Sequence, residues 1–136
     1  MQEIADTGII VAFLNRNDRY HSWALDAFRA HAPFHTCEAV WAESGSFFPN
    51  PKALLSLVSS GDLVVDSDFV LAHETPRLLA LDTKYCDCPM DLADACIVRM
   101  AEITQRCRVW TVDRSDFATY RRNERHAIPC EFPNVL

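Results

Sequence analysis

Apolar residues fall along the chain in short clusters whose spacing alternates between strand and helix. Ile4-Ala5 closes a strand-like opening segment (Met1–Ala5), and residues 8–15 then form a short apolar helix. Asn15–Asp18 is a polar turn, with Asp18 placed to cap a helix over Arg19–His31 whose Trp23, Ala27 and Ala30 recur at helical spacing. Phe34–Cys37 is extended after Pro33, and Glu38–Phe47 is helical with Val40, Trp41 and Ser44 on neighbouring turns. Pro49-Asn50-Pro51 interrupts the chain before a helix over Lys52–Ser60 that Gly61 stops. Leu63-Val64-Val65 is β-branched and bounded by polar turn residues, so it predicts a strand. Phe69–Tyr85 predicts one or two helices around Pro76, and Asp91–Gln105 the strongest helix, with Leu92, Cys96 and Met100 on its core stripe. Arg108–Val112 is a strand, Arg114–Arg122 a helix, and Ile128–Phe132 a final edge strand.

Strands that alternate with helices imply an α/β fold, with a central, mainly parallel sheet covered on both faces. The chain's 136 residues fit one domain, residues 1–136, and 49% hydrophobic residues are enough to fill its core. Three glycines argue against a turn-rich sandwich or barrel. The longest apolar run, Ile9–Leu14, is far short of the ~20 residues that span a bilayer. No secretory leader opens the sequence, so a cytoplasmic protein with no membrane contact is expected. In that compartment Cys37, Cys86, Cys88, Cys96, Cys107 and Cys130 are read as reduced thiols. Cys86-Asp87-Cys88 lacks the second ligand pair of a soft-metal site.

The net charge of −6 argues at first against a nucleic-acid partner, but its distribution is uneven. Residues 1–98 hold 6 basic and 14 acidic side chains, whereas residues 99–136 hold 7 arginines and 5 acids. Arg99, Arg106, Arg108, Arg114, Arg121, Arg122 and Arg125 are therefore candidate holders of phosphates, arginine being suited to bidentate contact.

Two acids occupy equivalent positions. Asp6 follows the first strand and Asp113 follows Val109-Trp110-Thr111-Val112, so both face the crevice beyond the carboxyl ends of a parallel sheet. Glu43 lies among Ala39, Val40, Trp41 and Ala42, where a carboxylate is costly to bury unless paired or metal-bound. Asp91 and Asp94 share one face of the first turn of the strongest helix; Asp91 reads as its cap and Asp94, with apolar neighbours, as inward-facing. Read singly, each acid could equally be a cap or a solvated side chain.

Taken in order, these segments resemble the PIN-domain family of nucleases, especially VapC-type toxins. The matching stretches are Ala5-Asp6-Thr7, Asp18-Arg19-Tyr20-His21, Cys37-Glu38-Ala39-Val40-Trp41-Ala42-Glu43, Met90-Asp91-Leu92-Ala93-Asp94-Ala95 and Thr111-Val112-Asp113-Arg114-Ser115-Asp116-Phe117. The resemblance implies a PIN-like fold over nearly the whole chain. It also implies a metal site formed by Asp6, Glu43, Asp94 and Asp113, with Asp116 in support. Thr7 and Thr111 match the family's hydroxyl residues, whereas Gly8 offers no side chain where a polar one is frequent. The implied function is a metal-dependent endoribonuclease acting as the toxin of a toxin–antitoxin pair. Its partners would be an RNA substrate, a small antitoxin and a second copy in a homodimer. Oxygen-only ligands select Mg²⁺ or Mn²⁺. None of the five histidines adjoins the acidic motifs, and His21 reads as a surface or interface residue.

Other readings carry less. Asp6-Thr7-Gly8 is also the triplet of aspartic proteases, which are β-rich. A phosphate-receiving signalling domain needs adjacent acids after the first strand and a late lysine, but the only lysines are Lys52 and Lys84. A catalytically inactive PIN-like RNA-binding or scaffold module would lack one of the acids, and a housekeeping RNA-processing nuclease would share them all. Bulky groups on the first two helices, Ile10, Phe13, Leu14, Trp23 and Phe28, serve either the core or a groove for an antitoxin helix.

Overall fold

The computed structural model describes residues 1–123 and 125–134. Its first strand, β1 (Gln2–Ala5), is the middle strand of a five-stranded parallel sheet. The order across the sheet is β3 (Leu63–Val65), β2 (Phe34–Thr36), β1, β4 (Cys107–Trp110) and β7 (Cys130–Glu131). Register places Ala5 beside Trp110 and Trp110 beside Glu131. The strands therefore end together, and whatever follows β1 and β4 shares one edge.

The connections are helical: α1 (Thr7–Leu14), α2 (His21–His31), α3 (Glu38–Gly45), α4 (Lys52–Ser59), α5 (Leu71–Lys84), α6 (Leu92–Ile103) and α7 (Arg114–Thr119). A small antiparallel hairpin, β5 (Arg121–Arg122) with β6 (His126–Ala127), follows α7. No described helix is long and apolar enough to cross a membrane. Every strand of the sheet, and the alternation with helices, matches the expected α/β plan.

The core explains these elements. Ile4, Ala5, Val109 and Phe34 have almost no exposure, and α1 buries Ile9 and Ile10 against them. α6 is buried on most of its circumference, through Ala93, Ala95, Cys96, Ile97, Val98, Met100 and Ala101. That burial seats α6 in the core, and Asp94 in its first turn lies with a carboxylate oxygen within 4.8 Å of Asp113, just beyond β4. Pro76 falls inside α5 without dividing it. Gly61, at φ +85°, takes the left-handed conformation that closes α4.

The structure revises several local expectations. Asp18 does not cap α2: its carboxylate accepts from Tyr20 N at 2.9 Å within a turn, and the helix starts at His21. The buried stripe of α2 is Ala24, Ala27 and Phe28, with Ala30 exposed and Trp23 half-buried. Leu92, expected on the core stripe of α6, is 54% exposed, and Ala93 faces inward instead. The helix after Asp113 ends at Thr119, because Arg121 and Arg122 enter the hairpin whose turn contains Asn123 at φ 49°. Ile10 and Phe28 belong to the core, and Phe13 stacks on Phe28 at 4.1 Å. The six cysteines are all free thiols.

Candidate functional site

Three helices begin at the common strand edge, and each is capped by an acid. Asp6 precedes α1 and its Oδ1 accepts from Thr7 N at 2.8 Å. Asp91 precedes α6 and accepts from Asp94 N at 2.8 Å. Asp113 precedes α7 and accepts from Asp116 N at 3.2 Å. A capping carboxylate satisfies orphan N–H groups and sits in the positive end of the helix dipole. Caps of this kind usually scatter over a protein surface. Here the short connections after β1 and β4 and the burial of α6 bring them to one place.

Asp94, Asp113 and Asp116 each offer a carboxylate oxygen, and these oxygens lie within 4.8 Å of one another. This is the group among the described residues with the spacing to hold a metal ion; the cysteines form none. Asp116, expected only in support, is one of its three members. Asp6 lies deeper, 6% exposed, and receives a hydrogen bond from Thr111 Oγ1 at 2.7 Å on its second oxygen. Glu43, half-buried on α3, receives the hydroxyl of Thr7. Thr111, itself fully buried, also accepts from Asp113 N at 3.1 Å. The two threonines thus tie β1, α3 and β4 into one network. Asp91 is exposed and faces the cluster from its rim.

The electrostatics report crowding. Burial first, and then the charges of Glu43 and Asp91, push Asp6 up to about 6 against the bonds from Thr111 and Thr7. Asp94 is pushed up to about 8, again by burial first and then by Asp6, Asp91 and Asp113. The shared hydrogen bond with Asp113, followed by burial and charge, also raises Asp116. Such mutual repulsion is relieved by a proton or by a cation. All the donors are hard oxygens, two of the acids resist ionisation without a counter-charge, and the threonines orient them beforehand. The residues fit Mg²⁺ or Mn²⁺.

Sequence reasoning missed Tyr120. Its hydroxyl donates to Asp94 at 3.3 Å, and the ring is fully buried between Tyr85 and Phe117. An aromatic residue at the end of a short helix carries no signal of that role. Gly8 also gains a reason. A Cβ there would overlap Val112 Cγ2 and lie 3.3 Å from Val112 Cβ and Cγ1. Close approach of α1 to the segment before Asp113 requires glycine.

The arginines do not form one face. Arg99 bonds to Glu74 at 2.9 Å and Glu102 at 3.5 Å, joining α5 to α6. Arg108 is held by Glu3 at 2.7 Å and Glu131 at 3.3 Å. Arg121 bonds to the last carbonyls of α7, and Arg122 to Ala101 and Gln105 at the end of α6. Arg106 and Arg125 are exposed, away from the acids in sequence and element. Arg114 directly follows Asp113, donating to Pro133 O at 3.3 Å with its guanidinium over Phe132. His21 lies outside the cluster and bonds to Ala12 O at 2.7 Å.

A parallel sheet in the order 3-2-1-4-7, flanked by helices and edged with carboxylates, is a PIN-like fold. No protein-family model matches the chain, and no curated protein matches its sequence. In three dimensions it is similar to the crystal structure of Mycobacterium tuberculosis VapC20, described as a sarcin-ricin loop cleaving toxin. The match has a TM-score of 0.69 at 14% identity and covers 85% of this chain and 94% of that one. At that identity the likeness is one of fold.

Proposed function

We propose that this chain is a single nuclease domain, residues 1–136, that cuts RNA with Mg²⁺ or Mn²⁺ as the toxin of a toxin–antitoxin pair. The observation that carries this reading is the convergence of Asp6, Asp94, Asp113 and Asp116, with Glu43 beside them, at the strand edge of a fold shared with an RNA-cleaving toxin.

Asp94, Asp113 and Asp116 would hold the cation directly, and Asp6 and Glu43 would complete the set from the buried side. When bound, the cation supplies charge neutralisation, activation of water and stabilisation of the leaving oxygen in phosphodiester hydrolysis. The chain supplies the rest. Thr111 and Thr7 fix the rotamers of Asp6 and Glu43, so little reorganisation is needed when substrate arrives. Tyr120 holds Asp94 by its donated hydrogen bond. Arg114, one residue from Asp113, is placed to meet a phosphate flanking the cut, and Arg106 and Arg125 are exposed enough to meet more distant ones. A small antitoxin would answer the acidic edge with a basic side chain.

An apolar groove of about 430 Å³ runs between α5 and α6 with Leu71, Leu79 and Leu92 on its exposed walls, and we assign it to a second copy in a homodimer. The function is tested by incubating purified protein with RNA, including a sarcin-ricin-loop hairpin, in Mn²⁺, Mg²⁺ or EDTA. Cleavage with either ion and none in EDTA is expected. Cleavage in EDTA, or no cleavage of any RNA in Mn²⁺, overturns it.

A further inference from the structure

A pocket on the α2 side of the sheet is separate from the acids but joined to them by the chain. Trp23, Asp26 and His31 of α2 line it, together with Trp110, Glu131 and Phe132. Its volume is about 360 Å³, within the ~300–1,000 Å³ of small-ligand pockets. Trp23 packs against Trp110 with ring centroids 5.9 Å apart at 39°, and His31 stands 5.2 Å from Trp110. Trp110 is only 6% exposed, so half-buried Trp23 is the tryptophan that offers a ring to the pocket.

Trp110 is fixed from behind, which sets the position of Trp23 against it. Trp110 Nε1 donates to Glu3 Oε2 at 2.7 Å, and the edge of Phe34 meets its ring at 5.6 Å. Arg108 lies over the same ring at 5.0 Å and is itself locked to Glu3. The rim is acidic: Asp26 is exposed, and Glu131 is half-exposed with one oxygen 3.3 Å from Arg108. Ionised carboxylates only accept hydrogen bonds. The third wall leads back to the acids, because Arg114 lies 4.5 Å over Phe132 and directly follows Asp113.

We propose that this pocket receives an unstacked guanine base of the RNA, next to the phosphate that is cut; the proposal rests on the nuclease reading above. Single-stranded bases are held by stacking on aromatic rings and by hydrogen bonds to their Watson–Crick edges. Guanine presents two adjacent donors on that edge, N1–H and the 2-amino group, which a carboxylate accepts together. Adenine and cytosine turn a ring-nitrogen acceptor toward the same carboxylate, and uracil has a single donor between two carbonyls. A cationic side chain from a protein partner fits less well. Arg108 and Arg114 already lie over the Trp110 and Phe132 rings and would repel it, whereas a neutral base brings no charge and leaves its phosphate to Arg114.

The test is calorimetric titration of the intact protein in EDTA, where no metal-dependent cut intervenes, with guanosine and adenosine 5′-monophosphates. The guanine nucleotide should bind roughly tenfold more tightly, the discrimination of one good carboxylate–base pair. Trp23→Ala should lose most of that binding and Trp23→Phe keep it. Asp26→Asn or Glu131→Gln should erase the preference while leaving weak binding. In cleavage assays, inosine in place of guanosine lacks the 2-amino donor, so it should raise KM at one position beside the cut more than it lowers kcat.

Equal affinity for the two nucleotides, indifference to Trp23→Ala, or preferential binding of an oligo-arginine peptide overturns the proposal. The two readings fail separately. Guanine preference that depends on Trp23, in a protein that cuts no RNA, keeps the pocket and removes the nuclease. Cleavage indifferent to Trp23→Ala and to inosine keeps the nuclease and removes the pocket.

Discussion

Thr111 Oγ1 donates to Asp6 Oδ2 at 2.7 Å across the seam between β4 and β1, 105 residues apart in sequence. The same oxygen accepts from Asp113 N at 3.1 Å, so one buried hydroxyl orients acids from both strand ends. It lowers the Asp6 pKa against the raising effect of burial. Thr111→Val keeps the shape and removes the bond. Asp6 should then titrate above its present value of about 6, and metal affinity measured by calorimetry should fall about tenfold, the lower end for loss of a supporting bond. Unchanged affinity would show that Asp6 is oriented without Thr111.

Substitution of the acids separates ligands from caps. Asp6→Asn, Glu43→Gln, Asp94→Asn and Asp113→Asn should each abolish RNA cleavage, while melting temperatures hold or rise, since each removes one charge from a repelling cluster. Asp116→Asn should reduce cleavage, given its place within 4.8 Å of Asp94 and Asp113. Asp91→Asn should leave most activity, because asparagine caps as well as aspartate, whereas Asp91→Ala should lower stability by about 1 kcal/mol. An inactive Asp91→Asn alongside an active Asp94→Asn would reverse the assignment within α6.

The metal-free protein should grow more stable as pH falls from about 8 toward 4. Asp6 and Asp94 have an ordinary value of 3.8 and are raised in the folded chain to about 6 and about 8. Between those limits the folded state binds more protons than the unfolded one, so stability rises as pH falls. Melting followed by circular dichroism in EDTA should show a rise on the order of 5 °C across this window. Saturating Mn²⁺ should flatten the profile at its alkaline end, and Asp94→Asn should remove most of the slope. A stability that instead falls on acidification from pH 8 to 5 would mean that Asp6 and Asp94 are not raised in the folded chain.

Much of this was legible in the sequence for a physical reason. Short strand-like segments followed by an acid occur twice, Ile4-Ala5 before Asp6 and Val109-Trp110-Thr111-Val112 before Asp113, and in a parallel sheet that places both acids at one edge. The phase of a helix is harder. Spacing puts Leu92 on the core stripe of α6 and Ala30 on the stripe of α2, but packing leaves both exposed and buries Ala93 and Ala24 instead, while Trp23 packs against the core only in part. Arginine partners were out of reach altogether: Arg108 meets Glu3 across 105 residues and Arg99 meets Glu74 across 25. A run of positive charge in sequence became several separate structural bonds. Tyr120 left no trace, since its role depends on where α7 happens to end.

Gly8→Ala tests how tightly α1 must approach the Asp113 segment. The new Cβ would overlap Val112 Cγ2, so Val112 must shift and carry Asp113 with it. A loss of about 1–3 kcal/mol, with reduced metal affinity, is expected from such overpacking. Val112→Ala removes the obstructing methyl groups, so in the double variant the two changes should compensate by at least ~0.5 kcal/mol in chemical denaturation. Strict additivity would show that α1 and this segment move independently.

The toxin reading makes its prediction in cells. Expression of the chain alone should arrest growth, and Asp6→Asn, which removes one carboxylate of the proposed metal site, should abolish the arrest. Co-expression of a small protein encoded beside it should restore growth, and the purified pair should show no cleavage in Mn²⁺. Inhibition should weaken with rising salt, since the acidic edge and a basic partner attract through partly solvated charges. The second copy is tested separately. Leu79 is 64% exposed on α5 and lies outside the acid cluster, so Leu79→Asp should convert a dimer to a monomer in sedimentation while the melting temperature holds. Harmless expression of a chain that cleaves RNA in vitro would move the function from toxin to RNA processing. Arrest that survives Asp6→Asn would detach toxicity from the acids and from the nuclease altogether.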